Sequence, residues 1–243
     1  VFGKADGAKV ELSEIELGTN GDGFVINGVA TGDYSGRSVS SAGDVNGDGF
    51  DDLIIGADYD DPNGSNSGAS FVVFGKTDGA AVELSTVEAG TGGFVINGVA
   101  TGDYSGLPVS SAGDINGDGF DDLIIGAFFD DPNGESSGAS FVVFGKADGA
   151  KVELSEIELG TNAGGFVING VATGDNSGYS VSSAGDVNGD GLDDLIVGAL
   201  VDDQNGNDSG ASFVVFGKTD GAAVELSTVE AGTGGFVING VAT

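Results

Sequence analysis

The chain repeats itself, and that self-similarity limits its possible folds more than any other feature. FVINGVAT begins at Phe24, Phe94, Phe166 and Phe236, and FGK at Phe2, Phe74, Phe144 and Phe216, a period of 70 to 72 residues. GDVNGDGFDDLIIGA at Gly43 returns as GDINGDGFDDLIIGA at Gly113 and GDVNGDGLDDLIVGA at Gly185. The connecting stretch alternates: GKADGAKVELSEIELGTN occurs at Gly3 and Gly145, GKTDGAAVELSTVEAGTGG at Gly75 and Gly217. Each version recurs after 142 residues, so the higher-order unit is a pair of repeats. Units of this kind bury their apolar faces against their neighbours.

Within one unit the local signals are those of strands. FVINGVA, SVSSAG, DLIIGA and ASFVVFG are short, rich in Val, Ile and Phe, and bounded by turn clusters such as TGDYSG and DDPNGSNSG. VELSEIEL alternates like a strand but also suits a helical turn. No long apolar stripe of period 3.6 is present, which excludes helical repeats. The expected fold is all-β, a tandem of four-stranded β-propeller-type blades. Counted from each FVING, residues 1–23 are the tail of a preceding blade, 24–93, 94–165 and 166–235 are three full blades, and 236–243 begin another. Propellers close with about 4 to 8 blades, so this chain is not expected to close on itself. Starting at Val1 rather than Met, it is expected to be part of something longer.

The strongest chemical signal is Asp44-Val45-Asn46-Gly47-Asp48-Gly49-Phe50-Asp51-Asp52. Side-chain oxygens at positions 1, 3, 5 and 9, a glycine at 6 and a main-chain carbonyl at 7 form a donor set for a hard cation, with calcium expected. The ligands are expected to be Asp44, Asn46, Asp48 and Asp52 with the Phe50 carbonyl. Their equivalents are Asp114, Asn116, Asp118, Phe120 and Asp122, then Asp186, Asn188, Asp190, Leu192 and Asp194, giving three ions for the chain. Asp51, Asp121 and Asp193, at position 8, are expected to point away. NGDG also reads as an ordinary turn carrying solvated acids, but three copies that keep every donor favour the ion. Position 12 is Ile55, Ile125 or Val197 instead of the glutamate an EF-hand requires, so the site is strand-loop-strand.

These residues carry a resemblance. The order FG, DxNxDGxxD, DLIIGA, Gly-rich turn and FVVFGK resembles the FG-GAP repeats of integrin alpha propellers, and still more the acidic FG-GAP repeat proteins of bacterial, especially cyanobacterial, surfaces. The resemblance covers essentially the whole chain. It implies four-stranded blades with calcium on the hairpin between first and second strands. The proline that often follows GA in that family is replaced by Asp58, Phe128 and Leu200, which departs from the family at the next loop.

Composition excludes several functions. Asp plus Glu number 39 against 7 Lys plus Arg, a net charge of -32, so neither nucleic acid nor an anionic membrane is an expected partner. Without His or Cys there is no Ser-His-Asp triad, cysteine nucleophile, structural zinc or disulfide. Hydrophobic residues make up 39%, enough for a core, but no apolar run approaches the ~20 residues of a membrane helix. Paired carboxylates alone permit glycosidase-type chemistry, yet no unit carries a unique acid or a nucleophile turn, so no enzyme is expected. A second acidic cluster, Asp60, Asp61 and Asn63, offers oxygens for another ion but matches no ligand spacing and reads as a solvated turn, and Asp33, Asp103 and Asp175 read as turn residues. The sequons at Asn63 and Asn207 lack a counterpart in the middle repeat and read as coincidence. The expectation is a calcium-stabilised extracellular scaffold that self-associates or belongs to a longer array. The alternative is a calcium-dependent adhesin for protein or glycan. Four tyrosines, of which only Tyr34 and Tyr104 are equivalent, count against a repeated sugar site.

Overall fold

The computed structural model describes residues 1–2, 9–18, 21 and 23–241. The expected tail, 1–23, and the expected opening strand, 236–243, therefore lie partly outside the described residues. The first repeat contains α1 (Leu12–Glu16), β1 (Ile26–Asn27), β2 (Ser38–Gly43), β3 (Asp52–Ala57) and β4 (Ala69–Val73). Next come β5 (Val82–Glu83), α2 (Leu84–Glu88), β6 (Gly93–Asn97), β7 (Val109–Gly113), β8 (Asp122–Ala127) and β9 (Ala139–Val143). The chain continues with β10 (Val152–Glu153), α3 (Leu154–Glu158), β11 (Gly165–Asn169), β12 (Ser177–Gly185), β13 (Asp194–Ala199) and β14 (Ala211–Val215). It finishes with β15 (Val224–Glu225), α4 (Leu226–Glu230) and β16 (Gly235–Asn239).

The strands form an all-β array of propeller-type blades that does not close into a barrel. Three antiparallel four-stranded sheets follow one another: β2-β3-β4-β6, β7-β8-β9-β11 and β12-β13-β14-β16. The period is the expected one, but the phase of the sheets differs from a count started at each FVING. The last three FVING strands are each the fourth strand of the sheet built by the residues before it, because Phe94 pairs with Val72, Phe166 with Val142 and Phe236 with Val214, whereas β1 of the first FVING pairs with β5 alone. The ambiguous VEL segment is both of its readings in turn. Its Val-Glu pair adds a short parallel strand to the preceding sheet, β10 on β6 and β15 on β11, and the next five residues make one helical turn.

Alternation of side chains along each strand gives every sheet two apolar faces, and the sheets stack through them. Between the first two sheets, Val45, Ile54, Phe94 and Ile96 pack with Leu123, Ile125, Phe141 and Leu154. Between the second and third, Ile115, Ile124, Phe166 and Ile168 pack with Leu195, Val197, Phe213 and Leu226. A third cluster joins Ile55, Phe71 and Leu84 to Ile26 and Val29 of the chain's beginning. Burying one such Phe or Ile contributes about 1.5–3 kcal/mol, so these interfaces, and not the isolated ladders, hold the array together. The first strands lie side by side, β2 beside β7 and β7 beside β12, which brings the three acidic loops to the same end.

Candidate metal centre

Each DxNxDGxxD loop links the first and second strands of a sheet, where the backbone must reverse. Glycines at positions 4 and 6 supply the left-handed conformations, φ 75° at Gly47 and 89° at Gly49. The first aspartate then organises the turn. Asp44 Oδ1 accepts from the N–H of Gly47 at 2.8 Å and Asp48 at 3.1 Å, and Oδ2 accepts from Gly49 at 2.9 Å. Asn46 Oδ1 accepts from Asp48 N–H and Asp48 Oδ1 from Phe50 N–H, at 2.8 and 2.9 Å. The same pattern recurs from Asp114 and Asp186.

The ninth position is different. Asp52, Asp122 and Asp194 are fully buried. Asp52 accepts from Val45 N–H at 3.1 Å and Gly75 N–H at 2.7 Å, tying the loop to the end of the third strand. Asp122 does the same with Ile115 and Gly145, and Asp194 with Val187 and Gly217. Burial pushes the Asp52 carboxyl up to about 6, opposed by these N–H donors and reinforced by the charges of Asp48 and Asp44. Burial likewise pushes Asp122 up to about 7, with Asp118 and Asp114 adding to it.

The donor chemistry fits a hard cation: every side-chain donor is oxygen, and the carboxylates of positions 1 and 5 keep lone pairs on Oδ2 after their N–H contacts. Among the described residues the carbonyls of Phe50, Phe120 and Leu192 accept no hydrogen bond. The third loop brings positions 3, 5 and 9 together, since Asn188 Nδ2 lies 2.9 Å from Asp190 Oδ2 and 3.5 Å from Asp194 Oδ1. Among the described residues, however, no three acidic side chains are gathered closely enough to form a finished metal cage.

Position 8 makes a contact that the expectation did not include. Asp121 and Asp193 point away from their own loops but into the loop of the sheet before. Asp121 Oδ2 accepts from Asp44 N–H at 2.8 Å while Asp121 N–H donates to Asp44 O at 3.1 Å. Asp193 repeats both contacts with Asp114, at 3.1 and 3.2 Å. Only glycine permits this approach, because a Cβ on Gly43 or Gly113 would collide with the incoming carboxylate. The sequence carried one signal for this contact, the Asp-Asp doublet in every copy, and a single-loop view of the site could not interpret it.

In the second acidic cluster Asp61 and Asn63 are exposed, in keeping with a solvated turn, but Asp60 is half-buried and its equivalents lie deeper. Asp130 and Asp202 are buried, 6% and 2% exposed. Asp130 is pushed up to about 7 by burial and by the charges of Asp103, Glu158 and Asp131, and its Oδ2 has no partner. Asn63 is a tie between repeats, donating to Gly98 O at 2.8 Å and Glu153 Oε2 at 3.0 Å. Asp33, Asp103 and Asp175 are turn residues as read, each accepting the N–H of the alanine three residues earlier.

Matches to known proteins cover the same segments. The FG-GAP repeat model matches residues 35–73, 109–143 and 177–215, in each case the first three strands of a sheet with the acidic loop between the first two. The chain is an FG-GAP repeat protein. It is similar to integrin alpha-PS2 of Drosophila melanogaster, 32% identical over 189 residues, 74% of this chain and 12% of that protein. Integrin alpha-3 of Mus musculus is 31% identical over 178 residues, 73% of this chain and 15% of that protein. Integrin alpha pat-2 of Caenorhabditis elegans is 32% identical over 172 residues, 69% and 13%. This FG-GAP chain thus spans about an eighth of the length of the integrins it matches.

Proposed function

We propose that this FG-GAP protein is a non-enzymatic, calcium-stabilised extracellular scaffold in which each loop holds one ion and neighbouring repeats associate through their faces. The observation that carries this reading is the threefold recurrence of one oxygen-only donor set, which at Asp44 and Asp114 is held by the aspartate of the next sheet. Calcium there would neutralise the acids of position 1, 5 and 9, whose mutual repulsion adds to the raised carboxyl of Asp52 and Asp122. The likeness to integrin alpha chains supports an extracellular setting, where millimolar calcium fills sites with dissociation constants of about 10⁻⁴ to 10⁻³ M. No helix among the described residues is long and apolar enough to cross a membrane. The test is thermal unfolding in millimolar calcium and in excess chelator, with calcium binding followed by calorimetry. A transition that stays at the same temperature in both would refute the metal's role.

One observation favours the adhesin alternative. Tyr34, Tyr59, Tyr104, Phe129, Phe128 and Tyr179 form one continuous row, with successive ring centroids 4.9, 5.2, 5.6, 4.4 and 5.3 Å apart. Tyr34 and Tyr104 hold φ of 54° and 52°, a conformation unfavourable for tyrosine, and Tyr34 is 62% exposed. Strain retained beneath an exposed aromatic row is a signature of a ligand surface. Binding of this chain to glycan and protein arrays, lost on Tyr34→Ala and Tyr104→Ala, would favour adhesion over scaffold.

A further inference from the structure

Each repeat carries a second set of acids, at the end of the sheet away from the DxNxDGxxD loop. In the middle repeat Asp103 lies in the turn before β7, Asp130 in the turn after β8, and Glu158 closes α3. The loop joins β7 to β8, so the set is a strand length from it, roughly 17–20 Å at about 3.3 Å per residue. Asp33, Asp60 and Glu88 hold the same places in the repeat before, and Asp175, Asp202 and Glu230 in the repeat after. The charges act on one another in all three copies: Asp103 and Glu158 on Asp130, Asp33 and Glu88 on Asp60, and Asp202 and Asp175 on Glu230. Residues beside them change between copies. Tyr34 and Tyr104 give way to Asn176, and Pro62 and Pro132 to Gln204, while the three acids stay.

The middle set has a sheet on either side of its own and is deeply placed, Asp130 and Asp103 being 6% and 7% exposed. Asp103 Oδ2 accepts from Ala100 N–H at 2.8 Å, and Asp130 Oδ1 from Asp131 N–H at 2.9 Å. Asp130 Oδ2 is buried with no partner, on a carboxyl that faces Asp103 and Glu158. No protein cation answers these charges: every lysine and arginine among the described residues pairs with an acid outside the set. Burying a carboxylate without a counter-charge is costly, and folded chains hold such groups by pairing or by a metal.

We propose that Asp103, Asp130 and Glu158, with their equivalents in the other repeats, form a second site for a hard divalent cation, separate from the DxNxDGxxD loop. The donors are all oxygen and come from three separate segments, which suits the flexible coordination of calcium, with water filling the remaining positions. A surface pocket whose wall includes Asp103, Asp131 and Glu135 borders the set and gives a cation a negatively charged approach. Among the described residues the three carboxyls do not form a closed cage. Like charges stand apart until an ion lies between them, and Glu158, half-buried on a long side chain, is the ligand that closes in.

The test counts calcium ions on the full chain by calorimetry and repeats the titration with terbium, which replaces calcium at oxygen sites and emits when a nearby tyrosine is excited. Tyr34, Tyr59 and Tyr104 adjoin Asp33, Asp60 and Asp103, and no DxNxDGxxD loop contains a tyrosine, so this emission reports the second site. Wild type is expected to bind more calcium than its three loops account for and to sensitise terbium. Asp130→Asn and Glu158→Gln are each expected to lose one calcium ion per chain and to weaken the emission, whereas Asp118→Ala in the loop keeps the emission. Unfolding of each variant in chelator checks that a lost ion is not a lost fold. Equal calcium counts and equal emission in wild type, Asp130→Asn and Glu158→Gln overturn the site, whatever the loops bind. Emission lost in Asp118→Ala and kept in Asp130→Asn overturns it as well.

Discussion

Side chains that look alike in the acidic loop do different work. Asp122 is a frame residue, buried and tied to two N–H groups, whereas Asp118 is exposed and holds only the turn. Asp122→Ala strands both donors and is expected to destabilise the metal-free chain by about 2–4 kcal/mol. Asp118→Ala should leave metal-free stability within about 0.5 kcal/mol and instead diminish the calcium-induced shift, both read by denaturant unfolding with and without calcium. Asp130 supplies a pH effect in the metal-free chain. Its carboxyl, faced by Asp103, Asp131 and Glu158, is raised to about 7, and Asp103 to about 6. The folded state therefore binds more protons than the unfolded one between the ordinary carboxylate value of 3.8 and about 7, so stability falls as pH rises through that window. Asp130→Asn should remove part of the slope and stabilise the chain at pH 8 by about 1–3 kcal/mol. A pH profile as steep as wild type would contradict this. That the side chains of positions 1, 3, 5 and 9 belong to one turn was legible from spacing alone. The buried Asp130 was not, because its surroundings come from α3 and from Asp103, distant in sequence.

At the scale of elements, the strands were legible because Val, Ile and Phe alternate between turn clusters. Their phase was not. FVING reads equally well as the opening of one unit or the close of another, and only pairing with ASFVV assigns it to the preceding sheet. The joints between sheets turn on glycines whose demands differ with position. Gly113 and Gly185 have similar φ, 73° and 68°, but a Cβ on Gly113 collides with Asp193 while one on Gly185 meets open space. Gly185→Ala is expected to cost about 1 kcal/mol, the conformational penalty alone. Gly113→Ala adds displacement of the Asp193 carboxylate and should cost about 3 kcal/mol in total. Equal losses in chemical denaturation would mean that the Asp193–Asp114 contact contributes little.

For the whole molecule, charge is the dominant quantity. Three calcium ions would remove only six of the 32 net negative charges, so on the proposed reading the metal would act locally in the loops and leave most of the acidity in place. At a hundredfold excess over its dissociation constant each ion adds about 2.7 kcal/mol. Three together are comparable to the 5–15 kcal/mol of an ordinary domain, and chelation is expected to lower the midpoint by more than about 10 °C. The composition excluded a Ser-His-Asp triad and thiol chemistry from the outset, but the aromatic row could not be read from it. Tyr59 and Phe129 fill one place in successive repeats that the third copy gives to Val201, and they join one row with Tyr104 only when the sheets stack. The interleaved phase of the sheets also bears on how such a gene can change. Each ladder is finished by the strand that follows the next connecting stretch, so a recombination event that inserts or removes one whole period regenerates every ladder wherever the crossover falls. Array length can drift by slippage between copies without passing through a misfolded intermediate, and the alternation at 142 residues is the pattern that duplication two units at a time leaves behind.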